Sequence, residues 1–347
     1  MTVVSEPLPQ ARPALPVAGR VKPSRRNLWI AAVIGVPASA VFLFLAIRGA
    51  DLGAVWRTLQ DVRPVPLLGA VACMGGVYWL QAARWRRIAH TGASHVRYAE
   101  MVVAGVAVNN VLPGRVGDLL RARWVSRGAF SYGRGIATVV FDRGFDLVTL
   151  AVFLIATLPL VTDESWVDRI VIGSVIAILL LAGGILAARE YTRRRPGGRR
   201  RRGVLRGFAR DVLDGLSEPL GVTRTQSLLL LSVAAWLTWA LGAYLTARAV
   251  GVELTVVQAI FVTGAHNLGV AIPSSPGFVG TYQWLGVSAL ALFGIGQESA
   301  LAYAIALQAV WYFPTTLVGL ALLVSGATRR WSRTAMPASA APAGLRA

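Results

Sequence analysis

Six stretches of this chain, 28–47, 65–83, 145–161, 170–188, 226–247 and 301–325, run almost without charge. Each approaches the roughly 20 residues that a helix needs to cross a ~30 Å hydrocarbon core. A backbone inside lipid must satisfy its own hydrogen bonds, so runs of this kind can only assemble as a bundle of helices. The 15% of charged residues is also lower than a soluble chain of this size would carry. The expected fold class is an all-α polytopic membrane protein. Two further apolar regions, 98–120 and 256–295, do not read as plain spans. Both contain Pro and Gly, the residues that most disturb a helix, and they share the phrase P-G-x-V-G: "PGRVGD" at 113–118 and "PGFVGT" at 276–281.

The net charge of +19 raises the question of a nucleic-acid partner, but the arginines are confined to particular loops. Arg84, Arg86 and Arg87 follow one greasy run, and Arg121, Arg123, Arg127 and Arg134 surround another. Arg193 to Arg195 and Arg199 to Arg202 fall in an Arg-rich loop at 189–210, and Arg329, Arg330 and Arg333 close the last run. Short basic loops mark the cytoplasmic side of a membrane. The expected partners are therefore membrane lipids and not nucleic acid, with 189–210 also suited to anionic headgroups. The single cysteine, Cys73, rules out an internal disulfide. No metal-ligand spacing or nucleotide-binding motif is present, so no cofactor is expected. Residues 1–27 and 327–347 are expected as disordered cytoplasmic tails.

Threading from these charges gives about six full spans and two re-entrant, broken-helix hairpins. The first hairpin, 98–120, is basic at both ends and enters from the cytoplasm; the second, 256–295, is bounded by Glu253 and Glu298 and enters from outside. The stretch 51–62, with Leu52, Val55, Trp56 and Leu59 on one face, should lie along the outer interface. The acidic loop 162–168 should be outside. Arg48 and Arg248 run against this pattern. The motif copies lie 163 residues apart, and the same shift carries span two onto span five and span three onto span six. Each span then points opposite to its counterpart, which is an inverted repeat with halves about 28–161 and 170–326. Trp29, Trp79, Trp85, Trp166 and Trp331 are expected as interface anchors.

Irregular backbone at membrane depth is tolerated only where protein or a polar cavity surrounds it, so the breaks point to a central site. Around the first stand Asn109, Asn110, Pro113, Gly114, Arg115, Gly117, Asp118 and Arg121, with Asp142, Arg143 and Asp146 nearby in "FDRGFDL". Asp142 and Asp146 are four apart and share a helical face. Intramembrane charges face a cavity or one another. Two readings follow: an ion-pair lattice fixing the first hairpin, or a site in which Arg115 and Arg121 hold a lipid phosphate through bidentate forks. Around the second break stand Asn267, Pro273, Ser274, Ser275, Pro276, Gly277, Gly280, Thr281 and Gln283, whose amides and hydroxyls suit a headgroup. His266 reads as a polar packing residue.

"NNVLPGRVGDLLRA", "FDRGFDL", "IPSSPGFVGTYQ" and "WYFPTTLVGL" together resemble the lysylphosphatidylglycerol synthase transmembrane region family, a flippase-like domain, over roughly 28–326. Some members of that family carry a soluble aminoacyl-transferase domain. This chain ends soon after Arg333, and the resemblance implies lipid translocation without the synthetic activity. Asp118 and Gln283 stand where Glu is common in the family. The expected function is a flippase-like transporter of the bacterial inner membrane, both termini cytoplasmic, and not an enzyme. It would move an anionic phospholipid derivative or a polyprenyl-phosphate-linked sugar between leaflets. Two alternatives stand beside it. One is a membrane-embedded transferase acting on a lipid-linked sugar, with Asp118, Asp142 or Asp146 as base. The other is a non-transporting partner of a separately encoded lipid-modifying transferase.

Overall fold

A computed structural model describes residues 37–112, 115–127, 129–161, 222–269 and 275–327, together with a few isolated positions. Among them every regular element is helical. The expected span 170–188, the loops 162–168 and 189–210, and Pro113, Gly114, Pro273 and Ser274 lie outside the described residues.

Among the described residues, four helices are long and apolar enough to cross a membrane: α3 (Pro64–Ala89), α6 (Tyr132–Val161), α7 (Val222–Ala249) and α10 (Gln297–Val324). At 1.5 Å per residue each is roughly 40 Å long, more than a hydrocarbon core requires. Ahead of them α1 (Pro37–Ile47) meets α2 (Leu52–Gln60) at 86°. Asp51 caps α2 by accepting the Gly53 N–H at 2.8 Å, a side-chain bond that starts the helix in its new direction. Val55 of α2 is buried, while Leu52 and Trp56 are exposed on the same apolar stripe. The protein is thus a multi-pass helical membrane protein.

The two P-G-x-V-G regions are helical hairpins. In the first, α4 (His95–Val111) and α5 (Val116–Ser126) flank the break. In the second, α8 (Val256–Gly269) and α9 (Thr281–Ala291) flank it, with a 3₁₀ turn at Pro276–Phe278 between them. An 11-residue helix is only about 17 Å long, so α5 and α9 are each too short to span alone. Gly117 shows why the first motif needs glycine. A β-carbon there would overlap the Gly105 carbonyl across the hairpin, and the Gly117 N–H instead donates to Asn109 Oδ1 at 2.7 Å. Gly280 is needed twice over. Its φ of 87° is disfavoured for L side chains, and a β-carbon would run into the Ser39 carbonyl of α1.

The hairpins pack across the chain. α4 lies against α10, α8 against α6, and α3 runs along α7. Shifted by the spacing of the two motifs, α3 to α6 fall within a few residues of α7 to α10. Two expected interface anchors belong to the core instead. Trp85 is fully buried, with its Nε1–H on Thr138 Oγ1 at 3.2 Å and its ring edge-on to Tyr98. Trp331 is buried against Trp124 and donates to Glu100 Oε2 at 2.7 Å. Both indoles find polar partners inside the protein, which removes their reason to sit at the headgroups.

Candidate functional site

Six charged side chains from α3, α5 and α6 close into one alternating ring. Arg84 reaches Asp142 through Nε at 2.9 Å and Asp146 through Nη1 at 2.8 Å. Asp142 also holds Arg121 Nη2 at 2.9 Å, and Arg121 Nη1 lies 3.5 Å from Asp118. Asp118 accepts from Arg143 Nη2 at 2.9 Å, and Arg143 Nη1 returns to Asp146 at 3.3 Å. Every aspartate serves two arginines and every arginine two aspartates. Three further groups brace the ring: Ser232 accepts from Arg84 Nη1 at 2.7 Å, Trp236 donates to Asp146 Oδ1 at 3.0 Å, and Trp85 lies under the Arg121 guanidinium at 4.3 Å. Buried charge is costly unless paired and hydrogen-bonded, and here the pairs join the first hairpin to α6 and α3.

Arg84 was not among the expected site residues, because it sits beside Arg86 and Arg87 and reads with them as a cytoplasmic cluster. The signal that separates it is spacing. Ala70, Met74, Val77, Gln81 and Arg84 form the buried stripe of α3 at intervals of three and four. Arg86 and Arg87 fall off that stripe and are exposed.

In front of the ring lies a cavity of about 290 Å³. Asn109, Asn110 and Arg115 reach it from the first break, Asn267 and Phe278 from the second, and Asp118, Arg143 and Asp146 from the ring. Tyr78, Trp236, Trp239 and Trp311 form its aromatic wall. Arg115 holds a left-handed conformation (φ 53°, ψ 37°) at the start of α5, uncommon for a residue with a side chain. A smaller cavity of about 150 Å³ shares Asn110, Asn267 and Phe278 with the first and adds Gly277 and Gln308. On the other side a mostly apolar groove of about 300 Å³ runs between α5 and α6, lined by Leu119, Val140, Gly144 and Leu147. It ends on Asp118 and Arg143, which it shares with the main cavity.

The remaining expected residues hold the hairpins in place. Arg121 and Asp142 stand behind the cavity wall, each about 1% exposed. Asn110 donates to Thr316 Oγ1 of α10 at 2.9 Å. Gln283 accepts the Gly280 N–H at 2.7 Å and pairs with Gln308, which also donates to the Gly277 carbonyl at 2.6 Å. Ser275 donates its N–H to Ser39 Oγ at 2.7 Å, and Pro276 opens the 3₁₀ turn. Thr281 is buried within α9. Ser275, Thr281 and Gln283 do not line either cavity. His266 is fully buried, its Nε2 3.0 Å from the Tyr282 carbonyl that joins α8 to α9.

Long apolar helices, two broken hairpins and a charged internal cavity define a polytopic membrane protein built around a polar site. The chain belongs to the lysylphosphatidylglycerol synthase TM region family, whose model matches residues 28–319. It is also similar to a UPF0104 membrane protein of Pyrococcus horikoshii. The two are 24% identical over 332 residues, an alignment covering 85% of this chain and 96% of the relative.

Proposed function

We propose that this chain is a flippase-like lipid transporter, moving an anionic phospholipid derivative or a polyprenyl-phosphate-linked sugar between the leaflets of a bacterial inner membrane. The observation that carries the reading is the meeting of three features at one pair of residues. The polar cavity bearing both breaks, the charged ring and the apolar α5–α6 groove all include Asp118 and Arg143. A lipid needs such an arrangement: a polar compartment for its headgroup and an apolar slot for the chain that stays in the bilayer. At about 290 Å³ the cavity is near the small end of ligand pockets, roughly 300–1,000 Å³, and suits a headgroup alone.

Within this reading the fold has six spans and two re-entrant hairpins in an inverted repeat, with both termini, 189–210 and the tails cytoplasmic and 162–168 outside. The matched element bounds of the two halves support it, as does the exchange in which α4 packs on α10 and α8 on α6. Such repeats place a site at their interface, where one half rocks against the other. Pairing of all three aspartates with arginines speaks against a free carboxylate base, and so for transport over group transfer. A transferase encoded elsewhere would supply or use the lipid.

The test is reconstitution of the full chain in proteoliposomes with a fluorescent anionic phospholipid and a membrane-impermeant quencher. The quenchable fraction is expected to rise faster with protein than without. Gly144→Leu adds bulk to the groove lining at a position where a β-carbon meets nothing within 4 Å. It should fold normally and slow movement at least tenfold. Absence of lipid movement by the well-folded wild-type protein defeats the proposal.

A further inference from the structure

Among the described residues, three line both the central cavity and the α5–α6 groove: Asp118, Arg143 and Leu147. Two of them are the ends of one ion pair, Arg143 Nη2 to Asp118 Oδ1 at 2.9 Å. This pair differs from the rest of the ring in two ways. The first is exposure. The side chains of Asp118 and Arg143 are 15% and 32% exposed, whereas those of the other four ring members are at 7% or less. Charges parted at this edge are not stranded in a dry interior, where an unpaired charge costs most. The second difference is connectivity. Four links of the ring join different helices: Arg84 to Asp142, Arg84 to Asp146, Arg121 to Asp142, and Arg143 to Asp118. Arg84 and Asp142 have no ion-pair partner on their own helix among the described residues. Asp118 has one in Arg121 and Arg143 has one in Asp146, each three residues along the same helix. Of the four crossings, the Arg143–Asp118 link is therefore the one that can break with both ends still paired on their own helix.

We infer that the Arg143–Asp118 pair is a side gate, through which a lipid headgroup passes between the groove and the cavity while its chain stays in the groove. In this structure the gate is shut. It opens when Arg143 turns back onto Asp146 and Asp118 onto Arg121, each toward a partner that it already touches. The helices need not separate, because Arg121 and Asp142 still tie α5 to α6. Leu147, one turn beyond Arg143 on α6 and 48% exposed, is the apolar part of the same wall. The inference rests on the lipid-handling reading above and adds a route to it. A charged headgroup supplies a partner of its own to one end of the pair, and so favours the open state over the shut one.

The experiment asks whether a headgroup reaches the cavity from the bilayer. The full chain with Cys73→Ala and Asn267→Cys, a cavity position, is reconstituted in phosphatidylcholine vesicles. The vesicles are doped with a phosphatidylethanolamine whose headgroup carries a maleimide. Val140→Cys, in the groove, serves as the reference in the same background. Val140→Cys should label at a rate that does not depend on the gate. Asn267→Cys should label slowly with the pair intact. With Asp118→Asn and Arg143→Gln together it should label roughly fivefold faster, the weight of one partly exposed ion pair on an opening equilibrium. Asp118→Glu, which keeps the charge facing Arg143, should keep the slow rate. The double variant leaves Arg121, Asp142, Arg84 and Asp146 as an alternating chain, so helical content and monodispersity should be kept. If that variant does not fold, Asp118→Asn alone reads the same step, since Arg143 keeps Asp146 and Arg121 keeps Asp142. Equal rates at Asn267→Cys with and without the pair overturn the inference, and so does absence of labelling at Val140→Cys. Movement of a fluorescent phospholipid is followed separately in vesicles without the maleimide. Gate-dependent labelling without movement leaves the gate standing and removes the transport reading. Movement with gate-independent labelling removes the gate and leaves transport standing.

Discussion

Asp142 joins Arg84 of α3 to Arg121 of α5 from its own place on α6, and it is almost wholly removed from solvent. Asp142→Asn would keep the shape and leave two buried guanidiniums each short of a charge. Breaking a buried pair in this way costs about 3–5 kcal/mol, far more than an exposed pair is worth. The double change Arg84→Met with Asp142→Asn restores neutrality by leaving an alternating Arg121–Asp118–Arg143–Asp146 chain. It should be more stable than Asp142→Asn alone. Thermal denaturation in detergent checks this, and a double variant no better than the single would mean that the ring is not coupled. The sequence shows five of the six ring members, because a charge inside an apolar run stands out. It hides Arg84, because a basic residue at the end of a span has a commoner explanation. Only the three- and four-residue spacing from Val77 and Gln81 turns it inward.

At the scale of elements, the breaks are legible because Pro and Gly interrupt otherwise greasy runs, while helix ends are less so. α4 begins at His95 and α10 at Gln297, three and four residues ahead of the apolar stretches at 98–120 and 301–325, and α6 begins at Tyr132, thirteen ahead of the run at 145–161. Hydropathy marks the lipid-bathed part of a helix, whereas caps fix where it starts; Ser94, which accepts the Arg97 N–H at 3.3 Å, is such a cap. What the motif glycines contact was not legible at all, since close approach across a hairpin depends on packing and not on local sequence. Two glycines make the contrast testable. Gly117→Ala should open the α4–α5 hairpin, because the added carbon meets the Gly105 carbonyl backbone. Gly75→Ala in α3 meets nothing and should be neutral or stabilising by up to about 1 kcal/mol through helix propensity. Equal thermal stability of the two variants would show that the hairpin seam is looser than its geometry implies.

At the scale of the whole molecule, the question is whether the two halves face opposite ways. The sequence offers the 163-residue spacing and the side preference of its arginines; the described helices add matched bounds and the crossed packing of the hairpins. Direction across the bilayer is set by the chemistry of the two surfaces. Ser94, ahead of α4, and Glu253, ahead of α8, are both exposed and occupy corresponding places in the two halves. In a parallel repeat they would share a side. An inverted repeat puts them on opposite sides, and the charges then put Ser94, next to Arg86, Arg87 and Arg97, in the cytoplasm. Cys73 is the single cysteine, so Cys73→Ala gives a clean background from which to introduce Ser94→Cys or Glu253→Cys. With a membrane-impermeant maleimide on intact cells, Glu253→Cys should label at once and Ser94→Cys only after permeabilisation. Labelling of both from one side would make the halves parallel. The two hairpins would then enter from the same face, and the alternating exposure of the Asp118–Arg143 cavity that transport requires would lose its structural basis.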